Sequence, residues 1–321
     1  MSKLVSKLDD AVVCAAPVVA AAATIDDSVN PPGIVPSYIR LRAIGEGDIA
    51  AVAQLLTRGF IRRPERFWRH VLATLQSRNA PEGFPRYGYV LESEGAIVGV
   101  LLTIFAKPAG AGHAGIRCNV SSWYVEPRYR SYAGFLVSRV RRDQTVTCIN
   151  VTPSAHTLPI LRAQGYVQYS RGTFAAMPAL SRRGRSGAAR ITLAAAGAPQ
   201  GADPGDEVLL KDHESFGCLS LWCELDGVCH PFVFRLRAAK GMIPCAQLVY
   251  CRSLDSFLVC ARAVGRFLLR RGRVLVLIDH DGPIAGLPGR YFAGKSPRFF
   301  AGPDRPRLGD LAYSEIAMFG P

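Results

Sequence analysis

The segment CNVSSWYVEPRYRSYAGFLVSR, residues 118–139, decides the fold of this chain. It predicts a β-strand that ends at Val125, a sharp turn at Pro127, and a helix that begins at a basic loop of small residues. A helix that follows a strand presents unpaired backbone N–H groups beyond the strand's end, where they can bind a phosphate or a polarised carbonyl. The segment therefore predicts a binding site for a ligand of that kind.

The elements around this segment predict an α/β fold of the α+β type. Their order is a strand at 38–42, helices that begin near Asp48 and Pro64, a hairpin at 87–105, the quoted strand, a helix at 132–141, a strand at 145–151, a helix at 158–164 and a strand at 166–174. Turn residues at 93–95 between two β-rich runs indicate the hairpin. We expect a mixed, mostly antiparallel sheet flanked by helices.

The pattern partly recurs in the second half of the chain. A hairpin around Asp226-Gly227 precedes a strand at 245–251, a helix at 254–271, a strand at 273–279 and a closing strand at 311–319. Segment 291–306, which mixes basic and aromatic residues, is expected to be a surface loop or a cover over an anionic ligand. We predict two tandem units rather than one elaborated domain. The predicted division of the chain is a disordered leader at 1–36, a ligand-binding unit at 37–180, a linker at 181–206 and a second unit at 207–321. Within the linker, 189–195 could add a strand.

The charge of the chain favours an anionic ligand. The formal net charge is +14, from 39 basic and 25 acidic residues. Such a surplus suits nucleic acid, an anionic surface or a phosphate-rich ligand. The arginines are dispersed rather than concentrated in one tract, which argues against a nucleic-acid partner.

The cysteines and the N-terminus indicate a cytoplasmic protein with no metal site. Nine cysteines are scattered without a Cys-x-x-Cys pair, so we expect reduced core residues and neither zinc nor a disulfide framework. No apolar run reaches the ~18–20 residues that a membrane span needs. The longest candidate, 12–23, follows Asp9 and Asp10, whereas a secretory signal would have Lys or Arg there.

The quoted segment resembles the acyl-CoA-binding motif of the GCN5-related N-acetyltransferase family. Its loop Arg130-Ser-Tyr-Ala-Gly-Phe135 aligns with the family's Arg/Gln-x-x-Gly-x-Gly/Ala, in which Arg130 matches, and residues 38–177 follow the family's order of elements. The resemblance implies that acetyl-CoA or another acyl-CoA lies between two splayed parallel strands, with its diphosphate against the loop amides. The residues that it implies for binding are Trp123, Tyr124, Val125, Arg128, Arg130, Ser131, Tyr132, Ala133 and Gly134.

Several positions depart from the family's pattern. Ala133 stands at the loop's first glycine and Phe135 at its second small position, so the ring of Phe135 must point away from the amides, into the core. Leu161 occupies the position of the family's proton-donating tyrosine, and the quoted strand carries no carboxylate to act as a base. Ser154, His156 and Tyr124 are the alternative proton carriers, and His156 is the best suited by its pKa range.

The sequence leaves two main functions open. The first is a transferase that moves an acyl group from acyl-CoA to an amine or hydroxyl of a small molecule. The second is a non-catalytic tandem module that binds acyl-CoA or an acylated ligand. In the second unit, Asp279-His-Asp-Gly282 at a strand end is either a further site or a turn.

Overall fold

Twelve strands form one continuous sheet in the computed structural model, which describes residues 38–107, 115–182, 189–239 and 243–320. The strands are β1 Ile39–Ala43, β2 Gly88–Ser93, β3 Ala96–Ala106, β4 Arg117–Val125, β5 Thr147–Asn150, β6 Val167–Ala176, β7 Arg190–Leu193, β8 Leu219–Leu225, β9 Val228–Ala239, β10 Ile243–Cys251, β11 Leu275–His280 and β12 Gly289–Ala301. Their spatial order is β1-β2-β3-β4-β5-β12-β6-β11-β10-β9-β8-β7. The predicted leader lies outside the described residues.

The pairing of the strands confirms the predicted fold class. Among the described strands, β4 with β5 and β10 with β11 are parallel, and every other neighbouring pair is antiparallel. The two parallel pairs stand at equivalent places in the two halves, each after a hairpin and a third antiparallel strand. The two halves therefore share an order of strands, which is consistent with the predicted tandem arrangement.

The two halves exchange strands at the centre of the sheet. Strand β12, from the second half, lies between β5 and β6, while β6, from the first half, pairs with β11. The prediction of a surface loop or cover at 291–306 was thus wrong. Phe299 is buried, and Arg298 is buried against Asp279 at 2.7 Å. The charge of this arginine suggested a surface, but its carboxylate partner, 19 residues earlier in the chain, allows it to lie inside.

Seven helices of the described chain cover the sheet. They are α1 Ile49–Gly59, α2 Glu65–Gln76, α3 Ala133–Val140, α4 Leu158–Ala163, α5 Pro204–Ser215, α6 Leu254–Leu269 and α7 Glu315–Met318. Helix α5 was not predicted, although Asp203 is a strong N-cap whose side chain accepts from the N–H groups of Gly205 and Asp206. Strand β7 lies within the predicted linker, where 189–195 was expected to add a strand.

The C-terminal segment does not form the predicted closing strand. Residues 309–311 run beside β10, and the chain then turns into α7. Leu311, Ala312 and Ile316 are buried with α5 and β10, whereas Met318 and Phe319 are buried with α1 and α2. The apolar composition that suggested a strand is explained by this burial on the sheet face.

The core lies on both faces of the sheet. Helices α1, α2, α5 and the C-terminal segment pack on one face, and α3, α4 and α6 pack on the other. The eight described cysteines are free and buried, where a thiol packs as a small apolar group. No helix within the described ranges is both long and apolar enough to cross a membrane.

Candidate functional site

A cleft opens where β4 and β5 separate. The two strands pair only from Arg117 to Asn119, against Thr147 to Ile149. Beyond that point β4 continues to Val125 while β5 ends at Asn150, so the backbone of 120–125 has no strand partner on this side among the described residues. The space between the strands holds a cavity of about 40 Å³ that is partly open to solvent. Strands that splay apart in this way leave backbone donors and acceptors available to a ligand.

A β-bulge shapes the wall of this cleft. Thr103 of β3 pairs with Val120 and Leu101 with Trp123, so Ser121 and Ser122 together oppose a single residue. A bulge redirects side chains and ends regular pairing. The two serines and Trp123 line the cleft as a result.

Several polar atoms in and beside the cleft are buried and unpaired. They are the hydroxyl of Ser122, the indole N–H of Trp123, the amide oxygen of Asn150 and both amide atoms of Asn119, none of which has a hydrogen-bond partner among the described residues. Buried polar groups in folded proteins are nearly always hydrogen-bonded. A ligand that carries amide or carbonyl groups would satisfy them.

Glu315 places a carboxylate in the cleft from the far end of the chain. Its side chain is 3% exposed and lines the cleft. Ser121 donates a hydrogen bond to one carboxylate oxygen at 2.5 Å, and Thr152 donates to the other. Burial raises the pKa of Glu315, against the opposing effects of the two hydroxyls and of the Arg298 charge. Both halves of the chain therefore contribute to one site.

Buried polar contacts fix the C-terminal segment that carries Glu315. Asp310 forms an ion pair with Arg117 of β4 at 3.2 Å, and Arg117 also donates to the carbonyl of Ala312 at 2.6 Å. The N–H of Tyr313 donates to Nε2 of His213 at 3.0 Å. Burial lowers the pKa of His213 to about 4, so this ring is neutral and can accept that bond.

The loop after β4 exposes the groups that the sequence assigned to phosphate. A 3-10 turn, Pro127–Tyr132, follows β4, and α3 begins at Ala133. Arg128 and Arg130 are exposed and form no ion pair with a described residue. A Cβ added at Gly134 would meet no atom of the described chain within 4 Å.

The ring of Phe135 points into solvent and leaves the cleft free. It was expected to point into the core, but it is 54% exposed, does not line the cleft, and lies 5.9 Å from the ring of Tyr132. Helix α3 explains this, because Leu136 and Val137 occupy its buried face. The departure from the family's small residue therefore does not obstruct the cleft.

The predicted proton carriers occupy different surroundings. Ser154 is buried and lines the cleft, and its hydroxyl also accepts from the backbone of Thr157 at 3.3 Å. His156 is exposed and does not line the cleft. Tyr124 faces α1, where an added Cβ on Gly59 would lie 2.3 Å from its ring. Geometry thus favours Ser154 over the other two, whose roles stay predictions.

Glu315 is the residue of the site that the sequence did not predict. In the sequence it is a single acid within the apolar run 311–319, and a buried lone carboxylate in such a run is unusual. That signal indicates burial with a partner, but it does not tell which part of the protein the carboxylate meets.

The second half contains an equivalent cleft that the chain itself fills. Strands β10 and β11 pair only from Cys245 to Gln247. Beyond this point the N–H of Cys251 donates to Gly309 at 3.0 Å, and the N–H of Leu311 donates to Val249 at 2.7 Å. The free edge of β10 is therefore occupied by residues 309–311.

The Asp279-His-Asp-Gly282 stretch is held in structural contacts. Asp279 pairs with Arg298, Asp281 accepts from the N–H of Arg171 at 2.7 Å, and His280 contacts the carbonyl of Gly282 at 2.7 Å. These contacts favour the turn over a second site. No group of residues able to hold a metal ion occurs within the described part of the chain.

Comparison with solved structures identifies the fold. No model of a known protein family matches the sequence, and no curated protein matches it either. A GCN5-related N-acetyltransferase from Anabaena variabilis superposes with a TM-score of 0.54 at 10% identity, over 82% of this chain and 72% of that one. A proposed acetyltransferase from Pyrococcus horikoshii superposes with a TM-score of 0.50 at 10% identity, over 89% and 97%. The chain has the fold of GCN5-related N-acetyltransferases.

Proposed function

We propose that this protein is an acyltransferase that takes an acyl group from an acyl-CoA, such as acetyl-CoA, and transfers it to an amine or hydroxyl. The observation that carries the proposal is the open cleft between β4 and β5. Its unpaired strand edge lies beside the unpaired side chains of Ser122, Trp123 and Asn150. The pantetheine arm of coenzyme A carries amide groups in an extended chain, and such a chain adds to a free strand edge through main-chain hydrogen bonds.

The donor's phosphates belong at the loop that follows β4. The proposed ligands are Arg128 and Arg130, with the backbone N–H groups of 131–134 at the start of α3. Exposed guanidinium groups without a carboxylate partner suit a diphosphate, and a helix N-terminus attracts negative charge. Trp123, Tyr124 and Val125 would border the arm between this loop and the thioester.

The reaction requires a group that takes a proton from the acceptor, and Glu315 is our candidate. The acceptor's nitrogen or oxygen attacks the thioester carbonyl, the C–S bond breaks, and coenzyme A leaves as a thiolate. The acceptor's proton passes to the Glu315 carboxylate and is returned through solvent to the thiolate, so no proton is gained or lost overall. The raised pKa of Glu315 makes it a stronger base than an exposed glutamate. Ser121 and Thr152 hold the carboxylate in place.

Binding and turnover test the proposal separately. Isothermal titration with coenzyme A should give saturable binding, and acetyl-CoA with a panel of amines should release free thiol, detected with a thiol reagent. Binding without thiol release from any amine would favour the non-catalytic module, a function that the leucine at position 161 also supports. No binding of coenzyme A, in a protein shown to be folded, would remove the proposal.

A further inference from the structure

A second cavity lies at the edge of the sheet that β7 forms, apart from the cleft between β4 and β5. It is an open groove of about 680 Å³, a size within the range of small-molecule sites. Strands β7, β8 and β9, the turn between β8 and β9, and the loop 196–200 form its walls. No residue that lines this groove also lines the first cleft. The groove is therefore separate from the proposed site for coenzyme A.

The wall formed by the loop 196–200 is held in place by the fold. Ala194, just before the loop, is buried, and its carbonyl accepts from the N–H of Gly197 at 3.0 Å. At the other end of the loop, the thiol of Cys229 in β9 donates to the carbonyl of Gln200 at 3.6 Å. A ligand that enters a groove with fixed walls pays less entropy for ordering them.

Three charged side chains of the groove have no partner in the described part of the chain. Arg190 stands directly opposite Glu224 in the pairing of β7 with β8, and Asp226 comes two residues after Glu224. All three line the groove, and none of their side chains forms an ion pair or a hydrogen bond with a described residue. Opposite charges that face each other across two strands stabilise the sheet when they interact. Here one positive and two negative charges are available to a ligand instead.

Two basic groups beside the groove do not neutralise its carboxylates. Arg252 donates to the carbonyl of Cys229 at 3.4 Å, but its charge pairs with the buried Asp206 at 2.5 Å. His230 follows Cys229, and burial together with the charge of Arg252 lowers its pKa, so its ring is neutral near pH 7. Neither group forms an ion pair with a carboxylate of the groove.

We propose that the groove binds a basic α-amino acid, whose charges complement those of its walls. The α-carboxylate meets the guanidinium of Arg190, which can bind it through two parallel hydrogen bonds. The two cationic groups meet Glu224 and Asp226. A strand rises by about 3.3 Å per residue, so these two residues stand about 7 Å apart, and the two ammonium groups of a diamino acid such as lysine can span that separation. A polyamine, in contrast, would bring positive charge against Arg190 and leave it without a partner.

Calorimetric titration with a matched set of small ligands tests the proposal. The probes are L-lysine, cadaverine, which is lysine without its carboxylate, and L-norleucine, which is lysine without its side-chain ammonium. L-Lysine should bind saturably and about fivefold more tightly than either analogue, the size of one exposed ion pair. Both preferences should shrink as salt increases, because exposed charges are screened.

Single variants assign each preference to a residue. R190Q should remove the preference for L-lysine over cadaverine, and D226N should remove the preference over L-norleucine. Asp226 has φ +50°, which asparagine also adopts, so D226N keeps the turn. Asp255 is an exposed acid at the start of α6 that does not line the groove. D255N therefore makes the same charge change elsewhere and should keep both preferences, while thermal unfolding shows that each variant is folded.

Saturating coenzyme A should leave the affinity for L-lysine unchanged, because the two cavities share no lining residue. Four results would overturn the proposal: no binding of L-lysine, equal binding of L-lysine and both analogues, equal losses in D226N and D255N, or displacement of L-lysine by coenzyme A. The titration with L-lysine does not require coenzyme A, so its outcome is independent of the proposed acyltransferase activity.

Discussion

The two clefts of the sheet are bounded by equivalent strands but differ in what occupies them. In each half a parallel pair runs for three residues and then separates, and in each the strand bearing the cleft has a bulge next to this point, at 121–122 in β4 and at 249 in β10. In the first half the strand edge beyond the bulge is free. In the second half it is paired with residues 309–311. The two clefts thus differ in what occupies them and not in the strand pairing around them.

The same stretch of chain fills the second cleft and reaches into the first. Residues 309–311 close the second cleft, and four residues later Glu315 enters the first. Arg307 adds to the closure by donating to the carbonyls of Cys251 and Arg252. We therefore expect one coenzyme A per chain, bound in the first half, and an active site that depends on the second half.

The largest effect should come from removing the carboxylate that enters the open cleft. E315Q keeps the shape of the side chain but cannot take a proton, so turnover should fall by about 10²–10⁴-fold while the affinity for coenzyme A is unchanged. The exposed Glu82 provides the control E82Q. In the wild type, kcat should decrease as pH falls through the raised pKa of Glu315, because the base must be deprotonated. An E315Q enzyme with normal kcat would disprove the role.

A smaller effect is expected from disturbing the segment that closes the second cleft. Gly309 has φ +79°, and an added Cβ would lie 2.8 Å from Cys251 Sγ, whereas Gly294 has φ +71° and no atom within 4 Å. G294A should therefore cost about 1 kcal/mol from backbone strain alone. G309A should cost about 2–3 kcal/mol, because steric overlap is added. Urea unfolding measures both, and equal costs would mean that Cys251 moves aside freely.

The sequence predicted the open cleft better than the closed one. Local patterns found β4, its turn and the following helix, since the Val125, Pro127 and Arg130 signals all lie within one segment. They did not find β12 or the role of Glu315, because both depend on partners more than a hundred residues away. Arg298 was expected in a surface loop or cover and Glu315 in a closing strand, and only the folded chain brings their partners to them.

Acid should loosen the segment that links the two clefts. His213 is buried and neutral, with its pKa lowered from 6.5 to about 4, and it accepts from Tyr313. A lowered histidine pKa gives stability that is complete above pH 6.5 and is lost as the pH falls toward 4, on the order of 1–3 kcal/mol. Unfolding of the wild type and H213Q across this range should show the loss only in the wild type. Identical dependence of unfolding on pH in the wild type and in H213Q would show that His213 does not cause the loss of stability.

The smallest effects should come from the arginines that follow the two cleft strands, and they should be opposite in kind. Arg130, after β4, is exposed and forms no ion pair within the described ranges, whereas Arg252, after β10, binds the buried Asp206 at 2.5 Å. R130A should weaken coenzyme A binding by about threefold to fivefold, the size of one exposed ion pair, without changing Tm. R252A should lower the free energy of unfolding by about 1 kcal/mol, because it leaves a buried carboxylate with Tyr250 as its remaining side-chain partner. It should leave coenzyme A binding intact.

Titration calorimetry and thermal unfolding of both variants measure the contrast. If R252A weakened the binding of coenzyme A as much as R130A, the second cleft would have to open to the ligand, and the assignment of one donor site to each chain would be wrong.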